Sequence, residues 1–268
     1  MWICPLCHLK LDTETSSWQC SYGHTFDRAK QGYVNLLPVQ QKKSKLPGDN
    51  RDMVNARTTF LTSGAYQPLV ALLSSLISTF ICKPAVIFEA GCGEGYYLRK
   101  LACDFPTVHL AGNDISKEAV LKAAKQMPLR QAQFVVGNSF AIPIKDNACD
   151  VVLQIFAPAK DSELVRICQP GGIIIEVQPQ TQHLQELKTY LFDNVASHQP
   201  RLKALTLLAQ ENLTYHVDLT PELTAALIGM TPLAFSSTAA RKEHAIHKLK
   251  TVTIDFAINV YESGDIHG

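Results

Sequence analysis

From Ala85 onward the chain alternates short, continuous apolar runs with amphipathic stretches. Ala-Val-Ile-Phe-Glu-Ala-Gly at 85–91 reads as a buried strand closed by glycine, and 96–105 as a helix. A strand over 109–115, a helix over 117–127 and a strand over 133–136 are expected next. Then come a strand over 150–156, a helix over 161–169, a strand over 172–177 and a helix from about 183 to 192. Valine- and isoleucine-rich runs separated by helices predict a parallel sheet covered on both faces. The last quarter breaks this rhythm. Strands over 212–219 and 251–262, with helical stretches near 221–230 and 238–249 between them, predict an antiparallel pair closing the sheet.

Ahead of Ala85 the texture differs. Residues 51–82 read as helices, with Asn50 or Asp52 as caps and Pro68 at a first helical position. The most apolar region, 66–90, is interrupted by Gln67, Pro68, several Ser and Thr residues, Lys83 and Pro84. A membrane span needs about 20 apolar residues in succession, so a buried helix followed by a strand is expected instead. Residues 38–50 read as a polar linker, and 1–37 as a short, turn-rich segment dense in Cys and His. The expected organisation is therefore a small Cys- and His-rich module over 1–37, a linker and helices over 38–82, and a large α/β domain over 83–268.

Composition narrows this further. At 46% hydrophobic and 18% charged residues, the 268-residue chain can bury a core, which excludes global disorder. Net charge is only +1, so any contact with nucleic acid must come from local patches. Residues 1–57 hold eight basic against five acidic side chains and the remainder is net −2, so positive charge gathers towards the N-terminus. The start has no basic region followed by an apolar stretch, so no signal peptide is expected, and the protein is expected to be soluble and cytoplasmic.

Eight cysteines are present, and three stand near the N-terminus. Cys4, Cys7, Cys20 and His24 form the pattern C-x2-C-x12-C-x3-H. Zinc takes four thiolate or imidazole ligands in a tetrahedron, and a closed protein set of four marks a structural site rather than a catalytic one. A segment this short cannot bury enough apolar surface to fold unaided, so a structural zinc is expected. The competing readings are four unrelated residues, or a redox dithiol at Cys4 and Cys7. His8 is a rival ligand, but it directly follows Cys7 and is expected in solvent. The other five cysteines are expected as small core or turn residues.

Glu89-Ala90-Gly91-Cys92-Gly93-Glu94-Gly95 follows a strand and opens a helix, which is where backbone N–H groups can receive a ligand. Asp114, at the tip of the next strand, suits the two hydroxyls of a ribose. A dinucleotide fingerprint would need glycine at 96, where this chain has Tyr96. The pattern E-x-G-x-G-x-G resembles instead the first motif of Rossmann-like S-adenosylmethionine-dependent methyltransferases, and carboxylates beside the loop suit the cationic end of that cofactor. The same resemblance brings Asn138 and Ser139 towards the adenine. Methyltransferases acting on exocyclic amines carry Asp, Asn or Ser before the proline that ends the fourth strand. This chain has Gln154-Ile155-Phe156-Ala157-Pro158, which points away from such amines. Phe156 is either a stacking platform for a base or a core aromatic.

The resemblance extends further. The zinc quartet, Phe26-Asp27-x-Ala29-Lys30-x-Gly32-Tyr33-Val34-Asn35, Pro47-Gly48-Asp49, Ala56-Arg57 and Gly64-x-Tyr66-Gln67-Pro68 together resemble the bacterial 23S ribosomal RNA (guanine-N1)-methyltransferase family. Glu89–Tyr97, Phe156-Ala157-Pro158 and His183-Leu184-x-Glu186-Leu187-Lys188 continue the match, which weakens after about residue 195. The resemblance implies a Rossmann-like sheet behind a zinc ribbon, with zinc on Cys4, Cys7, Cys20 and His24. It implies cofactor contacts at Tyr66, Gly93, Glu94 and His183, beside Glu89, Gly91, Gly95, Asp114, Asn138 and Ser139 of the class motifs. It also implies methylation of guanine N1 in a hairpin loop of 23S rRNA, and it suggests a homodimer. No residue is assigned as the proton acceptor. A methyltransferase acting on a small molecule, and a non-catalytic zinc-ribbon RNA-binding protein, are the alternatives.

Overall fold

The computed structural model describes residues 1–41, 47–127, 131–193 and 201–264. Lys42, Lys43 and Lys45 of the basic N-terminal portion lie outside the described residues. In chain order, a hairpin of β1 (Ser17–Gln19) and β2 (Thr25–Asp27) is followed by β3 (Val34–Asn35), α1 (Arg51–Thr62) and α2 (Gln67–Phe80). The alternating region holds β4 (Val86–Ala90), α3 (Tyr96–Asp104), β5 (His109–Asp114), α4 (Lys117–Gln126), β6 (Ala132–Val136), β7 (Cys149–Ile155), α5 (Asp161–Ile167), β8 (Cys168–Pro179) and α6 (Gln185–Leu191). The chain then forms β9 (Leu207–Asp218), α7 (Pro221–Gly229), α8 (Leu233–Ser236), α9 (Ala239–Lys248) and β10 (Thr251–Glu262).

Eight strands make one sheet in the order β3-β6-β5-β4-β7-β8-β10-β9. Pairing is parallel from β3 to β8, while β10 runs antiparallel to both β8 and β9. This is the mostly parallel sheet with an antiparallel end that the sequence predicts. Helix starts follow the expected chemistry: Asn50 accepts from Met53 N at 3.0 Å, and Ser116 accepts from Ala119 N at 3.2 Å. Among the described residues no single helix is long and apolar enough to cross a membrane, and α1 and α2 meet at a 79° bend.

Three elements differ from expectation. β9 begins at Leu207, five residues early, because its partner β10 continues to Glu262 and carries the ladder past a bulge between Val260 and Tyr261. β8 begins at Cys168, which pairs with Cys149 ahead of a register shift between Cys149 and Val151. β3 is the third. Val34 and Asn35 pair in parallel with Val135 and Val136, so the N-terminal segment supplies an edge strand to the large sheet.

The two faces of the sheet are covered by different means. Ile87, Leu110, Phe134 and Leu153 pack with Leu69, Leu73, Leu98 and Leu101 of the flanking helices. On the opposite face Phe88, Ala90, Ala111, Val135 and Val152 meet Leu164 and Ile167 of α5, and also Trp2, Leu11, Trp18 and Leu36 from the N-terminal segment. Trp2 lies 5.7 Å from Trp18 and 6.3 Å, edge-on, from Phe88, and its indole N–H donates to Gln133 Oε1 at 2.6 Å. Ile3 N–H donates to Pro143 O, and Lys145 N–H to Met1 O, both at 3.0 Å. Replacing Trp2 by alanine empties this joint. A loss of about 3–5 kcal/mol is expected, read as a lower urea midpoint at unchanged slope.

Candidate functional site

The turn after β4 is shaped by its lack of side chains. Gly91 has φ +75°, and a Cβ there would stand 2.3 Å from the Ala157 Cβ. The β4 and β7 ends therefore approach more closely than any other residue would allow. Gly93 N–H donates to Asp114 Oδ2 at 2.9 Å, and Ser116 N–H to Asp114 Oδ1 at 2.7 Å, which fastens the tip of β5 to the turn. A cavity of about 470 Å3 opens beneath the turn, lined by Tyr66, Glu89, Gly93, Glu94 and His183 among others. A second, of about 320 Å3, lies on the Asp114 side with Asn138, Ser139, Phe140 and Pro158. Asp49, Arg57, Gly91, Gly93, Ile155 and Phe156 line both.

Charge in these cavities is unbalanced. Glu89 is 1% exposed, and its Oε2 has no hydrogen-bond partner. Burial first, then the neighbouring Asp114 and Glu94, hold its carboxyl well above the usual range. Glu94 is equally buried; its Oε2 meets Arg99 at 3.3 Å while its Oε1 is unpartnered. Burial also raises Asp114, against the pull of its two backbone N–H donors. Buried carboxylate oxygens without partners are costly, and a cation bound beside them removes that cost. S-adenosylmethionine has a sulfonium, an α-ammonium and an adenosine, and the carboxylates, the open glycine turn and the Asp114 ledge fit it.

An aromatic wall closes the first cavity. Tyr66 packs edge-on to Phe60 at 5.4 Å and to Phe256 at 5.1 Å, and Phe156 lies 4.8 Å from Phe256. The His183 ring sits 4.8 Å from Phe256, and its Nδ1 accepts from Asp255 N at 3.4 Å, which places the ring proton on Nε2. Burial, and then the Lys188 charge, hold that imidazole down at about 3, so it is neutral. Phe156 adopts φ +54°, a left-handed conformation rare for a bulky residue, and is 38% exposed at the mouth.

At the N-terminus, Cys4, Cys7, Cys20 and His24 present one ligand atom each within 4.8 Å of one another. Cys4 Sγ and Cys20 Sγ lie 3.5 and 3.4 Å from His24 Nδ1, and Cys7 Sγ lies 3.5 Å from Cys20 Sγ. Ligands bound tetrahedrally at about 2.0–2.3 Å from zinc stand roughly 3.5–3.8 Å apart, so the set fits that ion. His8 is exposed, with φ +60°, and stands outside the cluster.

The structure thus brings Tyr66, Glu89, Gly91, Gly93, Glu94, Asp114, Asn138, Ser139 and His183 around two joined cavities. Gly95 lines neither. Its Cβ would stand 3.0 Å from Ala123 and 3.2 Å from Phe134, so the glycine lets the turn pack on α4 and β6. Asn138 is engaged elsewhere, with Nδ2 donating to Gln41 at 3.1 Å and Oδ1 accepting from Phe140 N at 2.9 Å. Ser139 Oγ accepts from Asn113 at 3.2 Å. Sequence reasoning missed the Asp49–Arg57 ion pair, 2.6 Å long and shared by both cavities, and the Met230–Leu233 wall. The Pro-Gly-Asp turn at 47–49 was the available signal for the first; the second has none in the local pattern.

Two expectations follow from this geometry. Cys20→Ser should lower bound zinc from one ion per chain to nearly none, read by metal analysis, and should expose the Trp2–Trp18 joint to protease. His183 is neutral when folded and titrates near 6.5 when unfolded, so the unfolded chain binds the extra proton between about 3 and 6.5. Stability from this source is complete above pH 6.5 and is lost as pH falls towards 3. His183→Gln should therefore lose less stability than the natural chain between about pH 7 and pH 4, read by urea midpoints.

A family model described as "RlmA, N-terminal", a zinc ribbon, matches residues 2–45, and one described as "Methyltransferase domain" matches residues 87–172. The chain is 37% identical over 186 residues to a Streptomyces fradiae protein named 23S rRNA (guanine(748)-N(1))-methyltransferase, covering 69% of this chain and 65% of that one. It is 30% identical over 277 residues to a Bacillus subtilis (strain 168) protein provisionally named 23S rRNA (guanine-N(1)-)-methyltransferase, covering 97% and 95%. Among solved structures, a protein from Galdieria sulphuraria provisionally described as a sarcosine dimethylglycine methyltransferase shares the fold. Its TM-score is 0.51 at 16% identity, over 76% of this chain and 88% of that one. With both domain models in place and a 30% match along almost the entire length of a relative, the chain belongs to the 23S rRNA (guanine-N1)-methyltransferase family.

Proposed function

We propose that the protein transfers a methyl group from S-adenosylmethionine to N1 of a guanine in a hairpin loop of 23S rRNA. The observation that carries the reading is the pair of buried carboxyl groups, Glu89 and Glu94, each with one unpartnered oxygen, under an open glycine turn, in a chain of this family. When bound, the cofactor supplies a methyl group already activated by a positively charged sulfur.

The residues of the chain then have positioning work to do. Glu89 and Glu94 would face the cationic end, Asp114 the ribose hydroxyls, and the segment from Asn138 to Phe140 the adenine. Tyr66 and His183 would close the methionine side; a neutral His183 there adds no repulsion to a cationic cofactor. Phe156, exposed at the mouth, gives an unstacked base a ring to lie on. The buried aromatic pair Tyr66 and Phe256 backs the methionine side of the cavity.

The metal-binding segment is read as the RNA-presenting surface. Leu6, Leu9 and Tyr22 are exposed there, Tyr22 at 74%, beside the exposed cations Lys10 and Lys30. Cations hold phosphates, and exposed aromatics stack on loop bases. A pair of chains would extend this surface along the RNA. A ribosomal RNA substrate supports a cytoplasmic location for the protein.

The test uses the full chain, labelled S-adenosylmethionine and unmodified 23S rRNA, with the product mapped by mass spectrometry. One methyl on guanine N1 is expected, and Asp114→Ala should weaken cofactor binding by roughly tenfold or more in calorimetry. A methyl on any other atom, or transfer that does not depend on RNA, rejects the reading.

A further inference from the structure

Phe156 stands where three cavities meet. It lines the two already described and a third, of about 480 Å3, beyond the ends of β7 and β8. The reading above places the cofactor in the first two and gives the third no occupant. The third is nonetheless built from buried polar groups. Gln154 is 8% exposed; its Nε2 donates to Ala157 O at 2.8 Å, and its Oε1 has no partner. Glu176 is 5% exposed and receives Lys203 Nζ at 2.9 Å on Oε1 and the Tyr261 hydroxyl at 3.3 Å on Oε2. Lys203 also pairs with Asp161, and its side chain is 7% exposed.

The segment carrying Lys203 is held in place from two sides. Gln178 Nε2 donates to Arg201 O at 2.8 Å, and Arg201 N–H donates to Gln178 Oε1 at 3.1 Å. Lys203 N–H donates to the Tyr261 hydroxyl at 3.2 Å. An ammonium has three protons, and two here are engaged by carboxylates, so one is left for a ligand. The cavity therefore offers one unpaired acceptor, one spare cationic donor and one aromatic face.

We infer that this third cavity receives the target base, resting on the methyl-transfer reading above, and that Gln154 and Lys203 select guanine. Guanine has a 2-amino donor and an O6 acceptor on one edge, flanking N1. Gln154 Oε1 accepts a hydrogen bond from the 2-amino group and Lys203 donates to O6, with N1 between them on the same edge; as the N1–methyl bond forms, the sulfur–methyl bond breaks, S-adenosylhomocysteine leaves and the N1 proton passes to solvent. The base lies on Phe156, and Arg201, exposed at the rim, meets a backbone phosphate. Adenine has an amino group where guanine has O6, so Lys203 would face a donor, and it has no 2-amino group to satisfy Gln154.

The test is a ratio. A hairpin RNA carrying guanosine or inosine at the mapped position is methylated by the full-length protein under single-turnover conditions. Inosine keeps O6 and N1–H but lacks the 2-amino group. The natural chain should prefer guanosine by about tenfold or more, and Gln154→Leu should bring that preference to within about twofold, with S-adenosylmethionine affinity unchanged in calorimetry. Lys203→Arg should retain more activity than Lys203→Met. Should Lys203→Met fail to fold because Glu176 loses its cation, the Gln154 ratio decides alone. Undiminished guanosine preference in Gln154→Leu overturns the pocket while leaving the methyl-transfer reading intact. If the natural chain methylates no guanine N1, that reading falls and the base assignment falls with it.

Discussion

β4 is the strand on which both halves of the molecule depend. A central parallel strand must bury both of its faces, and its side chains alternate between them. Ile87 and Glu89 point to one side, Phe88 and Ala90 to the other. The second side has α5 for a cover, but α5 spans only seven residues. The remaining apolar area is closed by Trp2, Leu11 and Trp18. Those side chains sit in a segment whose own secondary structure is a hairpin of two three-residue strands and the two-residue β3. A segment so poor in hydrogen-bonded structure holds tryptophans in fixed places only if something else fixes its loops, and four ligands on one ion do that. The metal site and the cofactor turn thus share a strand, one on each face.

The same alternation explains why a carboxylate is buried at position 89. Glu89 lies two residues before Gly91 on the cavity face, where an apolar side chain would complete the core beneath the helices. The chain instead buries a charge with one unpartnered oxygen and pushes its carboxyl upward. Such a group lowers the stability of the isolated protein and raises the affinity for a cation placed against it. The left-handed Phe156 at the end of β7 is a second local cost at the same mouth.

Much of this was legible in residue patterns. The parallel sheet follows from valine and isoleucine runs separated by helices, because parallel strands buried on both faces need that composition. The zinc quartet was legible because chelation demands particular residues at short spacing. Gly91, Gly93 and Asp114 were legible because a turn that tight restricts the residue types that can form it. What was not legible depends on long-range packing. Val34 and Asn35 look like the end of a small module, and nothing local says that they join β6. Gly95 carries the same motif signature as its neighbours, yet it serves helix packing. Arg57 and Met230 reach the cavity from elements far apart in sequence and meet each other there, with Arg57 Nη2 donating to Met230 O at 3.2 Å.

The antiparallel end of the sheet has a consequence for the site. Because β10 enters against β8, Phe256, Asp255 and Tyr261 come down its length in reverse order beside strands that rise towards the cofactor turn. Phe256 therefore reaches Tyr66 and His183 on one face, while Tyr261, five residues on, reaches Glu176 on the other. Odd separation along a strand puts the two residues on opposite faces. One strand thus supports the wall of the first cavity and the polar floor of the third. A parallel strand at that place would present its residues in the opposite order. Residues 219–250, which hold α7 to α9, return β10 antiparallel to both β8 and β9, so that one element backs the first cavity through Phe256 and the third through Tyr261.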